Sequence, residues 1–357
     1  MRVAGIMSGT SLDGVDVAVV EIQRRRLGVL GHRTFPYPER LRQRVLAVSN
    51  ATAHIGEISR LNFDLAREYA RCLKRMGVTG IELIGCHGQT VFHERGSTLQ
   101  LGDGPALCEF TGIATVSNFR TRDIAAGGQG APLVPFFDYW RFRSRRTGRV
   151  ALNIGGIANI TVLPPRGGLE DVVAFDTGPG NMVMDQLVWR ATEGRRRFDR
   201  NGALARRGRV NRELLDELLR DEYYQASPPK TAGREQYGRE FVDRLMESGL
   251  TLEDLMATAT ALTASTIALA IERWGKDAEE VIVSGGGAHN RTLMQMVAAQ
   301  LPGRVIRRSD EFGIDVDAKE AIAFAVLAYE TWRGRPGNVP AATGARRAVI
   351  LGEVARP

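Results

Sequence analysis

A short apolar run, a tight turn rich in glycine, and a second apolar run occur twice in this chain. That repetition constrains its fold more than any other feature. In the first copy, residues 2–7 have strand character, Ser8-Gly9-Thr10-Ser11-Leu12-Asp13-Gly14 makes the turn, and Val15-Asp16-Val17-Ala18-Val19-Val20 resumes the strand period. In the second, residues 149–154 lead into Gly155-Gly156 and then into residues 157–163. Two such devices about one domain apart predict duplicated halves. The first tip is dense in backbone N–H groups and hydroxyls, which suit phosphate oxygens, and Asp13 suits the magnesium that accompanies them. Asp-Gly is also the commonest hairpin turn, so taken alone this tip reads equally well as an ordinary one.

The remaining elements alternate between strand and helix. A third strand is expected over 28–37, helices over 39–48 and 54–76, and a strand over 81–85 that delivers Cys86-His87-Gly88-Gln89-Thr90 at its end. The strand 113–117 empties into a polar, glycine-rich stretch, 118–132, that reads as a hinge and binding loop, followed by a short helix over 133–142. Beyond the second hairpin come a strand over 172–175, a helix over 182–191, helices over 240–246 and 252–274, and a strand over 280–284. A helix opening near Arg291, a strand over 304–306 and a buried helix over 318–332 follow. Three strands, helix, strand, helix, strand is the element order of one lobe of an actin-like or sugar-kinase-like fold. Residues 195–238 carry an arginine-rich pattern with one readable helix, over 210–220.

Composition excludes several classes. Its 357 residues suffice for two well-buried domains. Apolar stretches read as shorter than the ~20 residues of a membrane span, and the first residues open directly into a strand, not a secretory leader. Cys72, Cys86 and Cys108 are spread without pairing, as suits a reducing cytoplasm. The net charge of +7 hints at nucleic acid, but only four of the 48 basic residues are lysines, a skew that a GC-rich coding sequence explains. The arginine clusters lack the interleaved aromatics of single-strand binders, so a solvated face is expected.

No G-x-x-x-x-G-K-[ST] occurs, and no G-x-G-x-x-G follows a strand in the required way, so a bound nucleotide must be held by the paired hairpins. Asp176, at a strand end before Thr177-Gly178-Pro179-Gly180-Asn181, suits a general base near a transferred phosphate or, equally, a helix N-cap. His87 suits positioning of a polar substrate, since zinc spacing is lacking and no carboxylate is placed to complete a Cys–His pair. The run Gly285-Gly286-Gly287-Ala288-His289-Asn290 suits backbone lying flat on a purine, where a plain turn would need one glycine. Glu320 reads locally as a first-turn acid favoured by the helix dipole.

Six stretches in register, 5–16, 86–90, 119–132, 153–159, 175–181 and 284–290, together resemble the anhydro-N-acetylmuramic acid kinase family over nearly the whole chain. The resemblance implies an α/β, two-lobed, actin-like and sugar-kinase-like (ribonuclease H-like) fold with its active site in the inter-lobe cleft. The N-terminal lobe is expected over 1–131, joined by a C-terminal segment of about 335–357, and the C-terminal lobe over 132–334. The implied reaction uses ATP, Mg2+ and water to open 1,6-anhydro-N-acetylmuramic acid and yield N-acetylmuramic acid 6-phosphate, in cytoplasmic recycling of cell-wall fragments. Neither nucleic acid nor membrane is implied as a partner, and a homodimer is left open. Asp176 is implied as the catalytic base. Gly9, Thr10, Ser11, Leu12, Asp13, Gly14, Val15, Asp16, Gly155, Gly156, Gly285, Gly286 and Asn290 are implied at ATP, with Asp13 near the metal. Arg120, Asp123 and Glu320 are implied at the sugar, with His87 close by.

Overall fold

The computed structural model describes residues 1–357 except Thr10, Ser11, Asp13 and Arg25. The chain divides into two compact units, Met1–Phe137 with Ala318–Pro357, and Asp138–Asp317.

In the first unit, β1 (Arg2–Ser8), β2 (Gly14–Gln23) and β3 (Arg26–Pro36) form an antiparallel meander. β4 (Leu83–Glu94) lies parallel to β1, β6 (Thr115–Ser117) parallel to β4, and β5 (Ser97–Leu101) folds back on β4. The C-terminal strand Glu353–Ala355 closes the far edge, antiparallel to β6. Strand alternation sends Ala4, Ile6, Ile84 and Cys86 into a core with Leu61, Leu65 and Tyr69 of the helix Ile55–Arg75. Gly5 and Gly85, opposite one another across β1 and β4, face the other way. A Cβ at Gly5 would fall on the Ala321 carbonyl, and one at Gly85 on the Phe324 carbonyl. The paired glycines thus let the buried helix Lys319–Trp332 lie directly on the sheet.

In the second unit, β7 (Gly148–Ile154), β8 (Ile157–Leu163) and β9 (Val173–Pro179) repeat the meander. β10 (Ala278–Ser284) lies parallel to β7 and β11 (Val305–Arg308) parallel to β10. The order β9-β8-β7-β10-β11 matches β3-β2-β1-β4-β6 in sequence and direction. The predicted α/β class and duplicated ribonuclease H-like halves are therefore present. The core helix Leu252–Trp274 packs on β8, β9 and the helices Met182–Ala191 and Arg291–Gln300. This helix is 23 residues long with an 18-residue window of mean hydropathy 1.4, enough by length and composition for a membrane span, contrary to the sequence reading. It is instead the buried centre of this unit: 89% of its apolar window is covered by the fold.

Several boundaries differ from expectation. Residues 132–137 and the helix Lys319–Trp332 group with the first unit, because that helix packs on β1, β2 and β4. β4 and β9 run on through their polar motifs, so His87 and Asp176 lie within strands, and Asn181 takes the N-cap position before Met182.

Candidate functional site

Within the second unit, Asp176 pairs with Asn159, which pairs in turn with Asn153, so three polar residues occupy directly opposed positions across β9, β8 and β7. Opposed residues share a sheet face. The register slips between Ala158 and Asn159, leaving Thr177 bulged, and the buried Thr177 Oγ1 donates to Ala158 O at 3.2 Å. A bulge at this point re-aims the neighbouring side chain.

The stretch that the sequence left unassigned closes around Asp176. The Asp176 amide donates to Lys230 O (3.2 Å), its carbonyl accepts from Tyr223 Oη (2.7 Å), and its Oδ2 accepts from the Ala232 N–H (2.9 Å). Burial pushes the Asp176 carboxyl up to about 6, the Ala232 N–H pulls it back, and the Glu235 charge adds a further rise. Such a carboxylate is ionised at neutral pH yet basic enough to take a proton.

The glycine turns separate into two kinds. Gly285 has left-handed backbone (φ 83°), and a Cβ at Gly287 would strike the Ile154 side chain, so the fold itself demands glycine at both. At Gly286 a Cβ would meet only the Asn181 side-chain nitrogen at 3.7 Å, and at the exposed Gly156 only the Met182 side chain, nearest at 3.3 Å. Neither position needs glycine for the fold, so both fit close approach of a ligand to the main chain. Gly155 turns its N–H back to Ile157 O (3.2 Å), and its carbonyl accepts from Asn181 N (2.8 Å). Asn290 caps the helix Arg291–Gln300, its Oδ1 accepting from Leu293 N at 3.0 Å. Asn290 is thus an N-cap, while the N-cap position weighed for Asp176 is taken by Asn181.

In the first unit, His87 is buried on β4 and stacked on Phe324, with ring centroids 4.5 Å apart. Its Nε2 accepts from Arg120 Nε (3.1 Å) and Nη2 (2.9 Å). Arginine can only donate, so the ring proton sits on Nδ1 and goes to Gly88 O (2.8 Å). Burial, then the Arg120 charge, holds His87 well below the usual histidine range. Both ring nitrogens are thereby committed, and His87 buttresses Arg120 where direct substrate contact was expected. Arg120 also donates to Gly130 O (3.0 Å); burial lowers it to about 10, opposed by the nearby charge of Glu320.

Asp123, expected at the sugar, is fully buried. Its Oδ2 accepts from Gly130 N (2.8 Å), and its Oδ1 from Asn338 Nδ2 (2.7 Å) and Thr343 Oγ1 (2.8 Å). The carboxylate is spent on shaping the 118–132 loop around Arg120. Asp123→Ala strips three buried donors of their acceptor, and a loss of about 2–4 kcal/mol is expected in urea unfolding.

At the first hairpin tip, Thr10, Ser11 and Asp13 lie outside the described residues. Gly9 O accepts from Leu12 N and Gln89 Nε2, both at 3.2 Å. Leu12 and Val15 are core side chains, able to offer a ligand only main chain, and a Cβ at Gly14 would fall on the Phe35 carbonyl. Asp16 accepts from Thr34 Oγ1.

The family model described as anhydro-N-acetylmuramic acid kinase matches residues 1–357. The chain belongs to that family. Curated relatives of that name include one from Caldanaerobacter subterraneus, 45% identical over 99% of this chain and 96% of its own length, and one from Gloeobacter violaceus, 45% identical over 98% and 97%. Among solved structures, the activator of the 2-hydroxyisocaproyl-CoA dehydratase from Clostridium difficile aligns over 93% of this chain and 96% of its own. At 13% identity and TM-score 0.44, that likeness is too distant to bear on the site.

Of the residues singled out from sequence, Asp176 holds a raised carboxyl and Arg120 lies within reach of the charge of Glu320. Sequence reasoning missed Asn159, although its motif was in view, because only strand register sets it opposite Asp176. It also missed Tyr223, Lys230 and Ala232. The Tyr223-Tyr224 and Pro228-Pro229-Lys230 clusters were the available signal within an otherwise arginine-rich stretch.

Proposed function

We propose that this chain hydrolytically opens 1,6-anhydro-N-acetylmuramic acid and phosphorylates it with ATP, giving N-acetylmuramic acid 6-phosphate and ADP. The observation that carries the reading is Asp176, an enclosed and raised carboxylate inside a bulged strand of a chain of this family. The anhydro sugar has no free 6-hydroxyl, so its bridge must break first. Asp176 takes one proton from water, and the water oxygen bonds to the anomeric carbon as the bond from that carbon to O6 breaks. O6, leaving with the electron pair, attacks the γ-phosphorus, and the bond to the β,γ-bridging oxygen breaks to release ADP. The proton on Asp176 returns to solvent, so one base serves both steps.

Arg120, braced by His87 and Gly130, and Glu320 supply a donor and an acceptor for the sugar. Main chain at Gly156 and Gly286 suits the nucleotide, where a Cβ would meet only side-chain atoms. Among the described residues no cluster of three or more metal-ligating side chains occurs. Mg2+ carried on ATP phosphates needs only one or two carboxylates, and it supplies charge neutralisation there. The same reading puts the enzyme in the bacterial cytoplasm, in cell-wall recycling. The test is a coupled assay of ADP release with the anhydro sugar against N-acetylmuramic acid. Release that depends on the anhydro sugar is expected, and an equal or greater rate with N-acetylmuramic acid would instead indicate an ordinary sugar kinase.

A further inference from the structure

The segment from Tyr223 to Ala232 touches Asp176 at both of its ends. Tyr223 Oη reaches the Asp176 carbonyl and the Ala232 N–H reaches Oδ2, while Lys230 O takes the Asp176 amide. Between these ends, Lys230 Nζ donates to Tyr223 O (2.7 Å) and Tyr224 O (3.4 Å). It also lies 4.6 Å from the Tyr223 ring centroid and 5.4 Å from that of Phe175, the residue preceding Asp176. The ammonium is therefore bonded to carbonyls and aromatic faces, with the Asp176 carboxylate outside its hydrogen bonds. A direct ion pair would draw the carboxyl down and weaken it as a base.

We propose that the 223–232 strap presents the Asp176 carboxylate in one orientation, with Oδ2 held by the Ala232 N–H and Oδ1 taking the proton from water, and that Lys230 is the positioning residue that holds the strap closed. Among the described residues Oδ1 has no hydrogen bond. This inference rests on the reading of Asp176 as the base. The groups around it are Asn159 on β8, Thr177 on β9, Tyr223 and Lys230 on the strap, and Glu235 just beyond it. Asp221 borders Tyr223, and Thr266 and Arg273 belong to the helix Leu252–Trp274. Burial is the largest influence on Asp176, so a loosened strap lets water in and returns the carboxyl toward about 4.

The test uses the full chain with Lys230→Met, Lys230→Arg and Tyr223→Phe, following kcat against pH and the carbon-13 carboxyl shift of Asp176 in the ligand-free protein. Lys230→Met is expected to lower kcat 10- to 100-fold, leave the KM for ATP unchanged, and move the acid midpoint downward from about 6. Lys230→Arg, which keeps the cation and its donors, restores most of both. Tyr223→Phe removes a single hydroxyl and shifts the midpoint the same way by less, so the inference stays testable if Lys230→Met does not fold. An unmoved midpoint in the folded variants, with kcat within twofold of the parent, overturns the strap. Full activity of Asp176→Asn would overturn the base itself, so the two failures are distinguishable.

Discussion

Asp176→Asn is expected to yield a folded, more stable and nearly inactive protein. The amide oxygen can still accept from the Ala232 N–H, and the Tyr223 and Lys230 contacts are to the Asp176 main chain, so the local structure persists. What disappears is the ability to accept a proton from water, and kcat should fall ~10²–10⁴-fold while ATP affinity is kept. Substantial residual turnover of the anhydro sugar by the folded variant would remove Asp176 as the base. Stability moves the opposite way. With the carboxyl raised in the folded state, the folded chain binds more protons than the unfolded one between about 4 and about 6. Its contribution is thus fully present below the unfolded value, is lost as pH rises through the folded value, and stays lost at neutral pH. The neutral amide avoids that penalty, so the variant should gain about 1–3 kcal/mol at pH 7.5 and no advantage near pH 3, measured as the thermal midpoint. The lower end is favoured because the side chain keeps some exposure. In the parent enzyme, kcat should rise with pH through about 6, where the base ionises.

Gly85→Val should abolish the folded first unit. The new side chain would enter the Phe324 carbonyl and the Ala328 methyl of the helix Lys319–Trp332, and Gly5→Val would do the same at Ala321 and Ala325. A helix backbone packed on a sheet cannot yield as a flexible side chain can. The cost should therefore exceed the ~1–3 kcal/mol of ordinary overpacking. The helix also carries Glu320, whose charge acts on Arg120. Gly28→Ala, on β3 with nothing within 4 Å of the added methyl, is the control and should stay within ~1 kcal/mol in urea unfolding. A Gly85→Val protein as stable as the parent would show that the helix is not seated by these glycines.

Most elements and their order were legible because hydrophobic period and turn chemistry are local properties. The helix Leu252–Trp274 and the strands on either side of Gly155-Gly156 lie where the pattern places them. Polar motifs were misplaced relative to strand ends, at β4 and β9, because the ladder continues through residues of low strand propensity when a neighbouring strand is available to pair. The triple glycine invited one explanation for three residues. The structure supplies two, since Gly285 and Gly287 answer to backbone conformation and to Ile154, and only Gly286 stands open.

By itself the sequence determined the duplicated α/β architecture, the family, and Asp176 as the carboxylate of interest. Tertiary structure alone decided which polar groups remain available for chemistry. Asp123 is consumed by Asn338 and Thr343, 215 and 220 residues away, and His87 by Arg120, 33 residues away. The Ala232 N–H that holds Asp176 comes from 56 residues downstream, in a stretch with no readable pattern. A side chain's type is written in the chain, whereas whether its lone pairs and protons are already taken depends on partners that only folding brings within hydrogen-bond reach.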